Sequence, residues 1–291
     1  MRMILVHGIS QEGKSAKKIH DEWMASLRPQ FGEGTSHPLD GLTRIDAAFY
    51  GDILHKLSSA KFTDEAIALG VDDADSDFDA FAADALLEMA KMIGITEEQI
   101  TAESAAVAVP QAAGPHKKWL KAIARAIEKV SPLKGALALR VLGQAHAYIR
   151  NQHVHDEVNA LVRPLFEDDE PAVIIAHSLG TIVSFSLLRE YANAGRPRSS
   201  PLFLTLGSPL AIDSVRRGFT KPRVRPANVE RWVNCADPED FVALHPVLTA
   251  EDYGPGIENL PDFENGYENA HGIQGYLSDY RVAKLVTEAI R

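Results

Sequence analysis

PAVIIAHSLG, residues 171–180, is the stretch that decides the fold class of this 291-residue chain. Its first six residues form an apolar run that begins with proline, which is typical of a strand buried on both faces of a parallel sheet. Helical periodicity begins directly after Ser178 and continues to Tyr191. The stretch therefore predicts a buried strand that turns sharply into a helix, with Ser178 at the turn.

Apolar runs and helical segments also alternate on both sides of this stretch. Further strands are predicted over 3–6, 44–50, 202–206 and 229–235. Helices are predicted over 15–31 and in a closing amphipathic segment that ends near Ile290. Strands alternating with helices predict an α/β fold, with a mostly parallel sheet flanked by helices.

No strand is predicted between residues 53 and 165. Alanine-rich helical stretches instead occupy 80–93, 97–108, 116–130 and 135–164. We therefore predict a core formed by residues 1–52 and 165–291. Residues 53–164 are predicted to form a large helical insertion, a cap or lid on that core.

The composition of the whole chain excludes several classes of protein. The formal net charge of −10 argues against nucleic acid as a partner, because phosphate binding requires a basic surface. A single cysteine, Cys235, excludes a disulfide framework and suits a reducing compartment. No stretch approaches the ~18 to 20 apolar residues that span a bilayer, and the N-terminus lacks the pattern of a signal peptide. We therefore expect a cytoplasmic location.

The insertion contains a basic segment that the net charge conceals. Residues 115–151 include eight Lys or Arg residues and one Glu, a local charge of +7. Trp119, Ile123, Ile127 and Val130 recur at helical spacing within it. The segment is therefore either a helix packed on the core with its basic face in solvent, or a surface for peripheral contact with an anionic membrane.

Ser178 lies between two small residues, Ala176 and Gly180, and this spacing has a chemical reason. A serine can occupy a tight strand-to-helix turn only if the residues two before and two after it are small, because larger side chains would meet neighbouring backbone. The helix that follows points its N-terminal amides at the serine and stabilises negative charge there. The spacing therefore predicts that Ser178 is a nucleophile.

A serine nucleophile of this type needs an acid and a histidine later in the chain, in the order serine, acid, histidine. Asp237 and Asp240 both follow a predicted strand, and Asp240 is favoured because the acid is needed in the turn beyond the strand. His271 precedes the last helix and is favoured over His245, which follows Asp240 too closely for the intervening chain. The predicted triad is therefore Ser178, Asp240 and His271, with Asp237 as the alternative acid.

Together these pieces resemble the lipase-like branch of the α/β-hydrolase superfamily. The resemblance rests on VHGI at 6–9, AHSLG at 176–180, LFLTLGSPL at 202–210 and DFV at 240–242. It covers 1–52 and 165–291, and it does not extend to 53–164. Ala176 departs from the family pattern, which more often has glycine at the first small position.

The resemblance implies an α/β-hydrolase fold and a serine hydrolase that cleaves carboxylic esters, of lipids or of other acyl groups. Ser178 would attack the carbonyl carbon, His271 would carry its proton, and Asp240 would hold the imidazole. The backbone amides of Ile9 and Leu179 would form the oxyanion hole. The resemblance implies no metal ion and no cofactor.

Two other interpretations stay open. Residues 8–15, GISQEGKS, also satisfy the pattern of a phosphate-binding P-loop, which would make the chain a nucleotide-binding protein. Against this, no apolar strand ends in the acid that would hold Mg²⁺, and Glu12 places negative charge in the phosphate cradle. The other interpretation is a hydrolase-fold protein without catalysis that serves as a binding module.

Overall fold

The computed structural model describes residues 1–32, 37–62, 76–107, 115–131, 134–195, 199–266 and 269–291. The chain divides into two compact units. Unit 1 comprises Met1–Ile53, Asp156–Ala211 and Thr220–Arg291, and unit 2 comprises Leu54–His155 and Ile212–Phe219. The domain boundaries expected from the sequence, with 53–164 as the insertion, stay a prediction.

Unit 1 is built on a six-stranded sheet in which neighbouring strands are parallel throughout. In chain order the strands are β1 (Arg2–Val6), β2 (Ile45–Ala48), β3 (Ala172–His177), β4 (Ser200–Leu206), β5 (Val229–Cys235) and β6 (Ile257–Leu260). Across the sheet their order is β2-β1-β3-β4-β5-β6. The prediction of an α/β fold with a parallel sheet flanked by helices is confirmed.

The edge strand β6 is the strand that the sequence analysis missed. Its four residues include two polar ones that contact neighbouring segments instead of packing in a core. Asn259 accepts from the Leu248 amide at 2.8 Å and donates to the Leu248 carbonyl at 3.2 Å, and Glu258 pairs with Arg231 of β5 at 2.6 Å. A short edge strand held in this way has no apolar run for a sequence pattern to detect.

Helices precede or follow the strands along the chain. They are α1 (Ala16–Leu27), α2 (Gly51–Phe62), α3 (Ser76–Met92), α4 (Glu97–Ala106), α5 (Pro115–Val130), α6 (Lys134–Arg150), α7 (Gln152–Phe166), α8 (Leu179–Asn193), α9 (Asp213–Arg217), α10 (Ala250–Tyr253), α11 (Ile273–Ser278) and α12 (Tyr280–Ile290). The helical stretch predicted over 135–164 consists of two helices. The break falls at Asn151, whose side-chain oxygen accepts from the amides of His153 and Val154 at 3.0 and 3.3 Å and caps α7.

Both faces of the sheet are covered in unit 1, because alternate residues of each strand point to opposite sides. On one face, Trp23 of α1 and Val286 of α12 belong to the same buried cluster as Leu5 of β1. On the other face, Trp232 of β5 lies 5.2 Å, between ring centroids, from Phe185 of α8. Strands covered on both sides in this way read as continuous apolar runs, as the sequence showed.

The basic helix α5 of unit 2 uses its apolar side for packing within that unit. Leu120, Ile123 and Ile127 are buried, and α5 contacts α3 and α4. On its polar side, Arg125 and Lys129 both pair with Glu103 of α4. Membrane contact through 115–151, of which residues 132 and 133 lie outside the described part, stays a prediction. Among the described residues no helix combines the length and apolar composition needed to cross a bilayer.

The order of the strands creates a crevice at one edge of the sheet, the edge formed by the carboxyl ends of the strands. The chain runs from β1 to β2 on one side and then places β3 on the other side of β1, so that the strand order reverses between β1 and β3. Val6 pairs with Ala176, and the loops that follow these two strands therefore start side by side. In open parallel sheets, ligands bind in the crevice that such a reversal creates at the carboxyl ends of the strands.

Gly180 is the position where a side chain would disturb this edge most. A Cβ at Gly180 would lie 2.5 Å from the carbonyl oxygen of His7 and closer still to that of Val6, and backbone cannot move aside cheaply. We expect Gly180→Ala to lower the free energy of unfolding by about 1–3 kcal/mol. Urea denaturation monitored by tryptophan fluorescence measures this change.

Gly41→Ala is the control for this substitution, because a Cβ there would meet only Ile290 Cγ2 at an ordinary 3.5 Å. We expect the control to change stability by less than about 0.5 kcal/mol. Equal denaturation midpoints for the two variants would show that the contact between α8 and β1 is not tight.

Candidate active site

Ser178 lies directly after β3, in the turn that begins α8. Its backbone has φ 53° and ψ −127°, and a positive φ is uncommon for a residue with a side chain. Its amide donates to the Leu206 carbonyl at 3.0 Å, and its own carbonyl accepts from Thr181 Oγ1 at 2.7 Å. The turn is therefore held on both sides in a strained conformation, of a kind that clusters at functional sites.

The loop after β1 approaches Ser178 so closely that only glycine fits there. A Cβ on Gly8 would lie 2.6 Å from the Cβ of Ser178 and 3.2 Å from its Oγ. On the other side of the serine, Ala176 is fully buried within β3, paired with Val6 of β1 and Thr205 of β4. Because these residues are small, the backbones of β1, β3 and α8 can approach one another closely around the serine.

The structure brings Ser178 together with His271 and Asp240, the histidine and the acid favoured from the sequence. His271 Nε2 lies 2.9 Å from Ser178 Oγ, and His271 Nδ1 lies 2.9 Å from each carboxylate oxygen of Asp240. Because a carboxylate can only accept, Nδ1 carries the proton and Nε2 is left as the acceptor for the serine hydroxyl. The arrangement is therefore a continuous relay from acid to histidine to serine.

Asp240 is buried, yet its surroundings favour the ionised carboxylate. Oδ1 accepts from the amides of Val242 and Ala243 at 2.9 and 3.2 Å, and Oδ2 accepts from the Tyr276 hydroxyl at 2.7 Å. Burial by itself would raise the pKa of Asp240, but the attraction of His271 and these hydrogen bonds outweigh burial and lower it. The side chain can therefore stabilise positive charge on the imidazole.

Asp237, the alternative acid, is used by the turn after β5. Its Oδ1 accepts from the Glu239 amide at 2.7 Å, and its Oδ2 accepts from the Asn265 amide at 2.6 Å. Both carboxylate oxygens therefore hold backbone, and the contacts to His271 come from Asp240. His271, of the two candidate histidines, is the one that contacts Ser178.

The two amides expected to form the oxyanion hole follow β1 and β3. Among the described residues neither the Ile9 amide nor the Leu179 amide donates a hydrogen bond, and Leu179 is the first residue of α8. His7 fixes the peptide that contains the Ile9 amide, because its Nδ1 lies 2.6 Å from the Gly8 carbonyl oxygen. Its Nε2 accepts from the Tyr50 amide at 3.2 Å, so that Nδ1 must be the donor.

Sequence reasoning missed three residues that pack against the relay, namely Tyr276, which donates to Asp240, and also His177 and Gly207. His177 Nε2 donates to the backbone carbonyl of His271 at 2.8 Å and holds the loop that carries this histidine. Gly207 has φ 54°, and a Cβ there would lie 2.7 Å from Asp240 Oδ2. The only sequence signal for His177 was its position next to Ser178. For Gly207 the only signal was its position in the LGSP segment at the end of β4.

In the P-loop pattern at 8–15, the groups that would bind phosphate instead contact other residues of the chain. Lys14 Nζ pairs with Glu22 at 2.6 Å, and the Gly13 amide donates to Asp52 Oδ1 at 2.7 Å. Ser15 caps α1 by accepting from the Lys18 amide. Among the residues that the structure describes, no three His, Cys, Asp or Glu side chains are grouped so that they could hold a metal ion.

Comparison of the chain with protein-family models, with curated proteins and with solved structures gave no match. The observed fold itself places the chain among the α/β proteins that have a parallel sheet flanked by helices.

Two buried histidines give the stability of unit 1 a predictable pH dependence. Burial lowers the pKa of His7 to about 4 and that of His177 to about 3, from an ordinary value of 6.5. The unfolded chain therefore binds more protons below pH 6.5. We expect the contribution of these histidines to the free energy of unfolding to be complete above pH 6.5. Below that pH the free energy of unfolding should fall toward pH 4, by up to about 1.4 kcal/mol per pH unit for each histidine.

Denaturation at several pH values, with variants that lack one histidine, measures this dependence. His177→Gln should reduce the slope below pH 6.5, and His153→Gln should leave it unchanged because His153 is exposed. The same slope in both variants would contradict the assignment to buried neutral histidines.

Proposed function

We propose that this chain is a serine hydrolase of the α/β-hydrolase type that cleaves carboxylic esters. The observation that carries the proposal is the relay from Asp240 through His271 to Ser178, with 2.9 Å between each pair of partners. The strained backbone of Ser178 and the location of the relay at the strand-order reversal support it. A capping role for residues 53–164 and a lipid substrate stay predictions.

In the proposed reaction Ser178 Oγ attacks the carbonyl carbon of the ester, and its proton passes to His271 Nε2. The oxygen that becomes negative accepts from the Ile9 and Leu179 amides, which have no competing acceptor among the described residues. Asp240 stays ionised and stabilises the imidazolium. The alcohol then leaves with the proton from His271, and an acyl group remains on Ser178.

Hydrolysis of this acyl-enzyme repeats the same steps with water as the nucleophile. His271 takes a proton from the water, which attacks the acyl carbonyl. The carboxylic acid then leaves, and the proton on His271 returns to Ser178 Oγ. No proton passes to Asp240, whose carboxylate accepts from His271 Nδ1 and so holds the imidazole with its proton on that nitrogen.

Covalent labelling with a fluorophosphonate tests the nucleophile. Ser178 Oγ would attack phosphorus and displace fluoride, leaving a stable adduct on the serine. We expect wild type and Lys14→Ala to be labelled and Ser178→Ala not to be labelled, as judged by intact-protein mass spectrometry. Lys14→Ala is the control because it removes the P-loop lysine and leaves the relay intact.

A folded wild-type protein that never becomes labelled would contradict the proposal and would favour the binding-module interpretation. Labelling that persists in Ser178→Ala would place the nucleophile elsewhere. Tight ATP binding that disappears in Lys14→Ala would instead support the P-loop interpretation.

The two candidate acids can be separated by kinetics. We expect Asp240→Asn to lower kcat for a p-nitrophenyl ester by about 10³- to 10⁴-fold, because an amide cannot hold the required histidine tautomer. Asp237→Asn should change kcat far less, because Asp237 supports a turn and does not contact His271. The reverse order of the two effects would assign the acid to Asp237.

A further inference from the structure

Tyr276 of α11 occupies a position between the two aspartates that follow β5. Its side chain is fully buried, and its hydroxyl lies 2.7 Å from Asp240 Oδ2 and 3.0 Å from the backbone nitrogen of Asp237. Its ring lies against those of Phe263 and His177, with centroids 5.7 and 6.1 Å away. The hydroxyl therefore links the turn that follows β5 to the acid of the relay.

The direction of both hydrogen bonds follows from the donors present. An amide nitrogen can only donate, so the Asp237 amide uses a lone pair of the tyrosine oxygen. The single hydroxyl proton is then left for Asp240, whose carboxylate can only accept. Tyr276 keeps this proton, because burial and, after it, the charge of Asp240 raise the pKa of its hydroxyl. The bond to Asp240 is therefore a persistent charge-assisted hydrogen bond.

This bond adds a second restraint on the orientation of the acid. Rotation about the Cβ–Cγ bond of Asp240 moves both carboxylate oxygens, and two backbone amides oppose it at Oδ1. The Tyr276 hydroxyl restrains Oδ2, and in this orientation both oxygens lie 2.9 Å from His271 Nδ1. His271 and Tyr276 lie five residues apart, so that one segment of chain brings both partners to Asp240.

We propose that Tyr276 is a positioning residue for the acid–histidine pair, whose hydroxyl orients the Asp240 carboxylate toward His271 and limits its pull on the imidazole proton. The proposal rests on the proposed function, because it assigns a role within that site. Tyr276 acts through Asp240 and is not placed in contact with the substrate. Its own proton stays on the hydroxyl throughout the reaction.

The titratable groups around this hydroxyl are few among the described residues. Asp240 and Asp237 face it directly, His271 lies on the other side of Asp240, and His177 packs against the tyrosine ring. Burial keeps His177 neutral, with a pKa of about 3. A change in the pH profile after loss of the hydroxyl would therefore report on the Asp240–His271 pair.

Tyr276→Phe removes only the hydroxyl and is the variant that tests the proposal. We expect kcat for a p-nitrophenyl ester to fall about 10-fold with KM nearly unchanged, because a hydrogen bond to a charged group is lost. We also expect the acidic limb of the kcat/KM profile to move to higher pH. Without its hydrogen bond, Asp240 holds the protonated imidazole more strongly.

Tyr253→Phe is the matched control. Tyr253 is also fully buried in unit 1, but its hydroxyl donates to the Leu210 carbonyl at 2.6 Å and not to the acid. We expect it to lose stability much as Tyr276→Phe does and to keep the wild-type pH profile. If the two variants have the same pH profile and kcat, Tyr276 is a packing residue and the proposal is wrong.

Proton NMR of the folded protein gives a second measurement that needs no turnover. The His271 Nδ1 proton, shared with a carboxylate, should give a far-downfield resonance that disappears in Asp240→Asn. We expect Tyr276→Phe to shift this resonance and Tyr253→Phe not to shift it. An unshifted resonance would overturn the role of Tyr276 even in an active enzyme. A shifted resonance in a protein without esterase activity or labelling would retain that role and refute the proposed function.

Discussion

The close approach of α8 to the end of β1 is the constraint on which the candidate site depends. Neither Gly180 nor Gly8 has a Cβ, and one at either position would collide with the backbone of β1 or with Ser178. This contact places the serine hydroxyl and two backbone amides at the same edge of the sheet. Ser178 lies at this edge with a positive φ, which costs on the order of 1–3 kcal/mol. The buried first turns of α8 offset that strain through packing.

The buried relay contains a single ionised side chain. Asp240 is the one ionised side chain of the relay, and two amides, one hydroxyl and one imidazole donate to it. His7 and His177 lie close by but stay neutral, because burial lowers the pKa of each. They hold neighbouring loops by hydrogen bonds that add no second charge. Asp240 is therefore the charged side chain that contacts His271 directly.

Local patterns were sufficient for the features that depend on neighbouring residues in the chain. The strand, the serine turn and the following helix share one stretch, and apolar runs marked five of the six strands. Where a strand was short and at the edge, as in β6, side-chain contacts replaced the apolar signal. The break at Asn151 was missed because a capping asparagine within a helical pattern resembles an ordinary polar residue.

The sequence by itself determined the parallel sheet, the turn at Ser178 and a short set of candidates for its partners. It favoured Asp240 over Asp237 as the acid but left Asp237 open, because both follow β5 and the sequence does not show which carboxylate faces the histidine. The tertiary structure decided that Asp240 faces His271 while Asp237 holds two backbone amides. It also decided the positions of Tyr276, His177 and Gly207 around that pair. Periodicity records which residues are buried, whereas hydrogen bonds between distant segments depend on how those segments meet in three dimensions.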